Sequence, residues 1–162
     1  MLIKGIVDED FVNYKIPSMF ICTSYCDLKC DKESGKGCCQ NSPLLKLRPI
    51  SVTDEDIIKR YLLNDITHAI VFGGLEPFMQ FDELYQLIRK FRITYFCSDT
   101  VVIYTGYNRS EIEDRVNSLA EFDNIIIKFG RFVPDDEKRF DDILGVELAS
   151  RNQYAEKIKK LS

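Results

Sequence analysis

Residues 69–77 read Ala-Ile-Val-Phe-Gly-Gly-Leu-Glu-Pro, four apolar residues running straight into a glycine pair. A short run with no polar face is what a strand buried on both sides of a parallel sheet looks like. The glycines then mark a tight turn out of the strand. Upstream, Thr53 with Asp56 reads as a capping box opening a helix whose apolar positions are Ile57, Ile58, Tyr61 and Leu62. Downstream, Phe81, Leu84, Tyr85, Ile88 and Phe91 recur at helical spacing. Val101-Val102-Ile103-Tyr104 is the next buried strand and ends in Thr105-Gly106-Tyr107. Ser110 with Glu113 reads as a second capping box, for a helix through Ile112, Val116 and Leu119, and Ile125-Ile126-Ile127 follows as a strand.

Repeated strand–helix units define an α/β chain with a parallel sheet. In such sheets ligands bind at the carboxyl ends of the strands, where the chain turns toward a helix. Three unusual loops fall at such ends: Gly73-Gly74-Leu75-Glu76-Pro77, Thr105-Gly106-Tyr107, and a cysteine-rich loop at about 22–42 that follows the apolar run Met19–Cys22. Their convergence on one edge implies a single composite site.

Five of the six cysteines, Cys22, Cys26, Cys30, Cys38 and Cys39, lie in that loop. A secreted disulfide framework would spread its cysteines along a shorter chain. The mixed, acidic stretch Met1–Asp10 lacks the apolar core of a secretion signal, and no apolar run approaches the roughly 18 residues of a membrane span. A cytoplasmic, membrane-free protein is therefore expected, in which clustered thiols bind metal. The sixth, Cys97, reads as a small buried apolar residue. With 162 residues, 45% of them hydrophobic, one domain over 1–162 is expected, and a net charge of −4 argues against nucleic acid as partner. One histidine, His68, and no G-x-S-x-G segment leave no support for an imidazole metal site or a serine hydrolase.

From about Asp10 to Gln153 the chain resembles the radical S-adenosylmethionine enzymes, and within them the small activases of anaerobic ribonucleotide reductase. Cys26-Asp27-Leu28-Lys29-Cys30 matches the first half of that family's C-x3-C-x2-C motif, and Gly73-Gly74-Leu75-Glu76 is similar to its GGEP segment. Thr105-Gly106-Tyr107, Gly130-Arg131-Phe132 and Ser150-Arg151-Asn152-Gln153 resemble features of the activases. The chain departs from the pattern in three places: the third cysteine is displaced, Leu75 is extra, and Lys128-Phe129 stands where activases carry an acid.

The resemblance implies a partial (βα) barrel or open parallel sheet of the radical SAM type. It implies a [4Fe–4S] cluster on Cys26, Cys30 and Cys39, with Cys38 or Cys22 as alternative third ligands. Gly73, Gly74, Glu76, Thr105, Gly106 and Tyr107 would lie beside S-adenosyl-L-methionine, and no catalytic side chain is expected beyond the cluster ligands. The implied reaction is reductive cleavage of that cofactor to place a glycyl radical on the large subunit of anaerobic ribonucleotide reductase, with a flavodoxin or ferredoxin-type electron donor. Two other readings stay open: a different radical enzyme resembling the 7-carboxy-7-deazaguanine synthases, and a non-catalytic zinc or iron–sulfur binding module.

Overall fold

The computed structural model describes residues 1–159; the last three residues of the expected domain lie outside the described residues. The strands are β1 (Leu2–Asp10), β2 (Ser18–Thr23), β3 (Ile50–Ser51), β4 (Ala69–Gly73), β5 (Thr100–Tyr104), β6 (Ile125–Phe129), β7 (Arg139–Asp141), β8 (Val146–Leu148) and β9 (Tyr154–Ile158). The α-helices are α1 (Lys29–Ser34), α2 (Asp54–Leu62), α3 (Phe81–Ile93) and α4 (Glu113–Leu119). Seven strands form one sheet in the order β3-β1-β2-β4-β5-β6-β9, and β7 pairs with β8 apart from it.

The central strands β2, β4, β5 and β6 are parallel, as the apolar runs predict. The flanks are antiparallel: β1 on β2, β3 on β1, and β9 on β6. The link from β1 to β2 is too short for the crossover that parallel pairing needs. Among the described residues the sheet stays open, with β3 and β9 as its edges, and closes no barrel.

Alternation along the strands splits the core in two. Ile70, Phe72, Val101, Ile103, Ile125 and Ile127 meet the helices through Ile57, Tyr61, Leu84, Ile88, Phe91 and Val116. On the opposite face Val71, Val102 and Ile126 pack against Tyr14, Leu144 and Leu148. Both faces are thus buried, but helices cover only one, and the β7–β8 hairpin covers the other. Truncating Phe72 or Phe91 to Ala, each fully buried, is expected to cost about 3–5 kcal/mol.

Two local readings need correction. Leu62 is 45% exposed while Ile57, Ile58 and Tyr61 are buried: Leu62 is the last residue of α2, and the buried stripe of the helix ends one residue earlier at Tyr61. The capping box before α4 belongs to Asn108 and Glu111, not Ser110 and Glu113; it closes a 3-10 turn at Arg109–Glu111 that precedes the helix. Thr53 caps α2 as expected, accepting from the Asp56 amide at 3.1 Å. Among the described residues no helix is long and apolar enough to cross a membrane.

Candidate metal centre

At the carboxyl ends of β2, β4, β5 and β6 lies a cavity of about 470 Å³, within the size range of small-molecule sites. Cys26, Cys30 and Cys39 line it together with Gly74, Glu76, Thr105, Gly106, Tyr104 and Lys128. Cys38 and Cys22 do not. The three loops singled out in the sequence do meet at one sheet edge.

The insert between Cys30 and Cys39 is folded back on itself. Residues 29–34 make the short helix α1, entered through Leu28 at φ 55° and left through Gly35 at φ 66°. A non-glycine residue in the left-handed region costs on the order of 1–3 kcal/mol, and here it aims the two cysteines that flank it. Asp31 Oδ1 then accepts from the amides of Cys38 and Cys39, at 2.8 and 2.7 Å. These two hydrogen bonds to the returning chain bring Cys39 back to the cavity that Cys30 lines despite the long separation. Cys38 is turned aside: its Sγ lies 3.2 Å from Ser34 Oγ and 3.7 Å from the Cys30 carbonyl.

Side chains beyond the cysteines fasten this loop to the sheet. Tyr107 Oη donates to Asp27 Oδ2 at 2.8 Å. Lys29 Nζ reaches Glu111 at 3.2 Å. Arg131, its side chain 7% exposed, is bidentate to Glu111 at 2.7 and 2.6 Å and lies 3.1 Å from Glu33 of α1. The pairing with Arg131 holds the Glu111 carboxyl down at about 2. The Ser150–Gln153 turn seals the far side, with Gln153 Nε2 donating to the Gly130 carbonyl at 3.2 Å and Asn152 Nδ2 to that of Arg131 at 2.8 Å.

Glu76 is buried in the cavity wall despite the extra Leu75. Its carboxylate accepts from Thr105 Oγ1 at 2.8 Å, the Gly106 amide at 2.9 Å and the Phe78 amide at 3.1 Å. Burial outweighs these donors and lifts its pKa to about 7. Burial likewise pushes the Cys26 thiol up to about 11 and raises Cys30. A thiolate there needs a metal's charge to form.

Gly73 and Tyr107, expected beside the cofactor, do not line the cavity. A Cβ on Gly73 would meet the Phe20 ring at 3.1 Å, and Tyr107 serves the loop instead. Gly74 does line it, but its demand for glycine has a local cause. Its φ is +81°, and a Cβ would stand 2.3 Å from Cys22 Sγ. Cys22 is therefore a packing partner of the turn. His68 is exposed at the start of β4, and Cys97 is half-buried against the core rather than fully buried.

The sequence reading missed Lys128, Glu111, Arg131 and Asp31. Of these, Lys128 left a signal as the one charge in the run Ile125–Phe129, and Arg131 was quoted only as part of the Gly130-Arg131-Phe132 turn, with no role assigned to its side chain.

The model of a family described as a 4Fe-4S single cluster domain matches residues 18–153, more than four-fifths of the chain. No curated protein and no solved structure matches. The donor set fits such a cluster. Three thiols face one cavity, and the missing Cβ of Gly106 leaves space 3.7 Å from Cys30 Sγ. Among the described residues no group of three or more His, Cys, Asp or Glu side chains is gathered closely enough to hold a single metal ion.

Proposed function

The chain belongs to the 4Fe-4S single cluster domain family, and on that premise we propose that it is a radical S-adenosylmethionine activase. The observation that carries this reading is the company the thiols keep: Cys26, Cys30 and Cys39 share their cavity with Gly74, Glu76, Thr105 and Gly106. Three protein ligands leave one iron of the cluster for a substrate, and the adjoining wall offers a buried carboxylate. Held by Cys26, Cys30 and Cys39, a reduced cluster would supply the one electron needed for reductive cleavage of S-adenosylmethionine bound beside it.

The chain's own residues bind and orient. Cys26, Cys30 and Cys39 hold the cluster. The Glu76 carboxylate, fixed by Thr105 and the Gly106 amide, receives the ammonium of the methionyl group. Gly106 keeps the approach between Glu76 and Cys30 clear. Tyr107, Lys29, Glu111 and Arg131 keep the cysteine loop closed over the sheet end.

The substrate in this reading is a backbone glycine of the anaerobic ribonucleotide reductase large subunit, with a flavodoxin or ferredoxin-type donor. The cavity rim supports a macromolecular substrate: Val12, which lines the cavity, is 72% exposed, and neighbouring Phe11 is 64% exposed. Anaerobic incubation of the reconstituted, reduced protein with S-adenosylmethionine tests the reading. Formation of 5′-deoxyadenosine that vanishes in Cys26→Ala and Cys39→Ala is expected; equal formation in either variant would sink it.

One observation favours a second reading. Cys38 lies beside Cys30, and a fourth thiolate from it would make a closed, non-catalytic cluster module. Cys38→Ala separates the two, since only the module needs Cys38 to keep its cluster.

A further inference from the structure

Lys128 is the buried cation of the cavity. On β6, Ile125, Ile127 and Phe129 belong to the helix-side core, so alternation sends Ile126 and Lys128 to the opposite face. Ile126 meets the hairpin side, and Lys128, one register further, lines the cavity with Cys30 and Glu76. The residue is 7% exposed. Its Nζ donates to the Gly130 carbonyl at 3.0 Å and stands 5.8 Å from the centre of the Tyr104 ring. No carboxylate among the described residues comes within salt-bridge distance of it; its hydrogen-bond acceptor is the neutral Gly130 carbonyl, while Glu76 and Cys30, across the same cavity, act on it only through space.

A buried, unpaired ammonium costs several kcal/mol, and such a group is retained where something negative arrives to meet it. The thiolate-bound cluster that this family carries is net negative and gains a further negative charge on reduction. We infer that Lys128 is the internal counter-ion of the cluster and that its positive charge makes the cluster easier to reduce. Cluster potentials follow net charge and burial around the sulfurs, and Lys128 supplies charge inside the wall that Cys30 occupies. The Gly130 carbonyl, itself held by Gln153 Nε2 at 3.2 Å, fixes where that charge sits. This rests on the family assignment, not on the activase reading, because any cluster held at Cys30 would feel the ammonium.

The experiment is an anaerobic redox titration of the reconstituted protein, followed by electron paramagnetic resonance, in wild type, Lys128→Gln, Lys128→Met and Lys128→Arg. Gln keeps a donor for the Gly130 carbonyl while removing the charge, Met removes both, and Arg restores the charge. Both neutral variants are expected to shift the reduction equilibrium at least tenfold toward the oxidised state, about 59 mV lower for one electron, and Lys128→Arg to stay within about threefold of wild type. Full cluster loading with an unshifted potential in either neutral variant overturns the inference. So does an unshifted potential with weakened S-adenosylmethionine binding, which would assign Lys128 to a ligand carboxylate. A wild-type protein that takes up no cluster would overturn the reading of the cavity, and this inference with it.

Discussion

The amide of Cys39 donates to Asp31 Oδ1 at 2.7 Å, and this bond decides where the third thiol stands. The same oxygen takes the Cys38 amide at 2.8 Å. Hydrogen bonds to a charged acceptor contribute about 1.5–3 kcal/mol, enough to choose among conformations of a glycine-containing loop. Asp31→Ala is therefore expected to lower iron and sulfide content after reconstitution and to speed cluster loss to a chelator. The melting temperature of the metal-free protein should barely move, because α1 buries no residue. Undiminished loading in Asp31→Ala would remove Asp31 from this role.

The two neighbouring thiols should behave differently. Cys39 lines the cavity and Cys38 does not, so Cys39→Ala is expected to lose the cluster and Cys38→Ala to retain it. Cluster absorbance and iron content of the two variants, reconstituted side by side, check this. Equal loss would require Cys38 as a ligand.

Gly74 and Cys22 form the tightest pair at the site. Gly74→Ala puts a methyl 2.3 Å from Cys22 Sγ at a backbone with φ of +81°. A loss of at least about 2 kcal/mol in stability is expected from overpacking and backbone strain together. Urea unfolding measures it. Adding Cys22→Ala should recover part of the loss, the overpacking share alone, and no recovery would show that backbone conformation accounts for all of it.

Glu111 gives a pH dependence of defined sign. Arg131 holds its carboxyl at about 2, below the ordinary 4.5. A depressed carboxyl contributes stability that is fully present above its unfolded pKa and is lost as pH falls through the folded one. The difference in stability between wild type and Glu111→Gln should therefore be constant above about pH 5 and shrink between 4.5 and 2. With Glu111 30% exposed, solvent screening limits the plateau to about 1 kcal/mol. A pH-independent difference would show that the Arg131 pair is not its source.

The sequence made the parallel core readable because β2, β4, β5 and β6 are short, largely apolar runs separated by helical periods. β1 and β9 were not read, since Leu2–Asp10 and Tyr154–Ile158 mix charge and apolar residues at the flanks of the sheet. The cavity's thiols and glycine turns showed in local spacing. The fastening of the loop did not, because it joins distant residues: Tyr107 to Asp27, and Arg131 to Glu33 and Glu111. Gly74 looked like a cofactor contact by its motif alone, and only packing revealed that Cys22 also demands it.

In the proposed function the cluster keeps one iron open for S-adenosylmethionine. The most direct test is an electron paramagnetic resonance spectrum of the reconstituted, reduced protein recorded with and without that cofactor. A [4Fe–4S] signal that changes on its addition is the predicted result. A cluster signal that the cofactor leaves unchanged would contradict the account and leave a closed iron–sulfur module in its place.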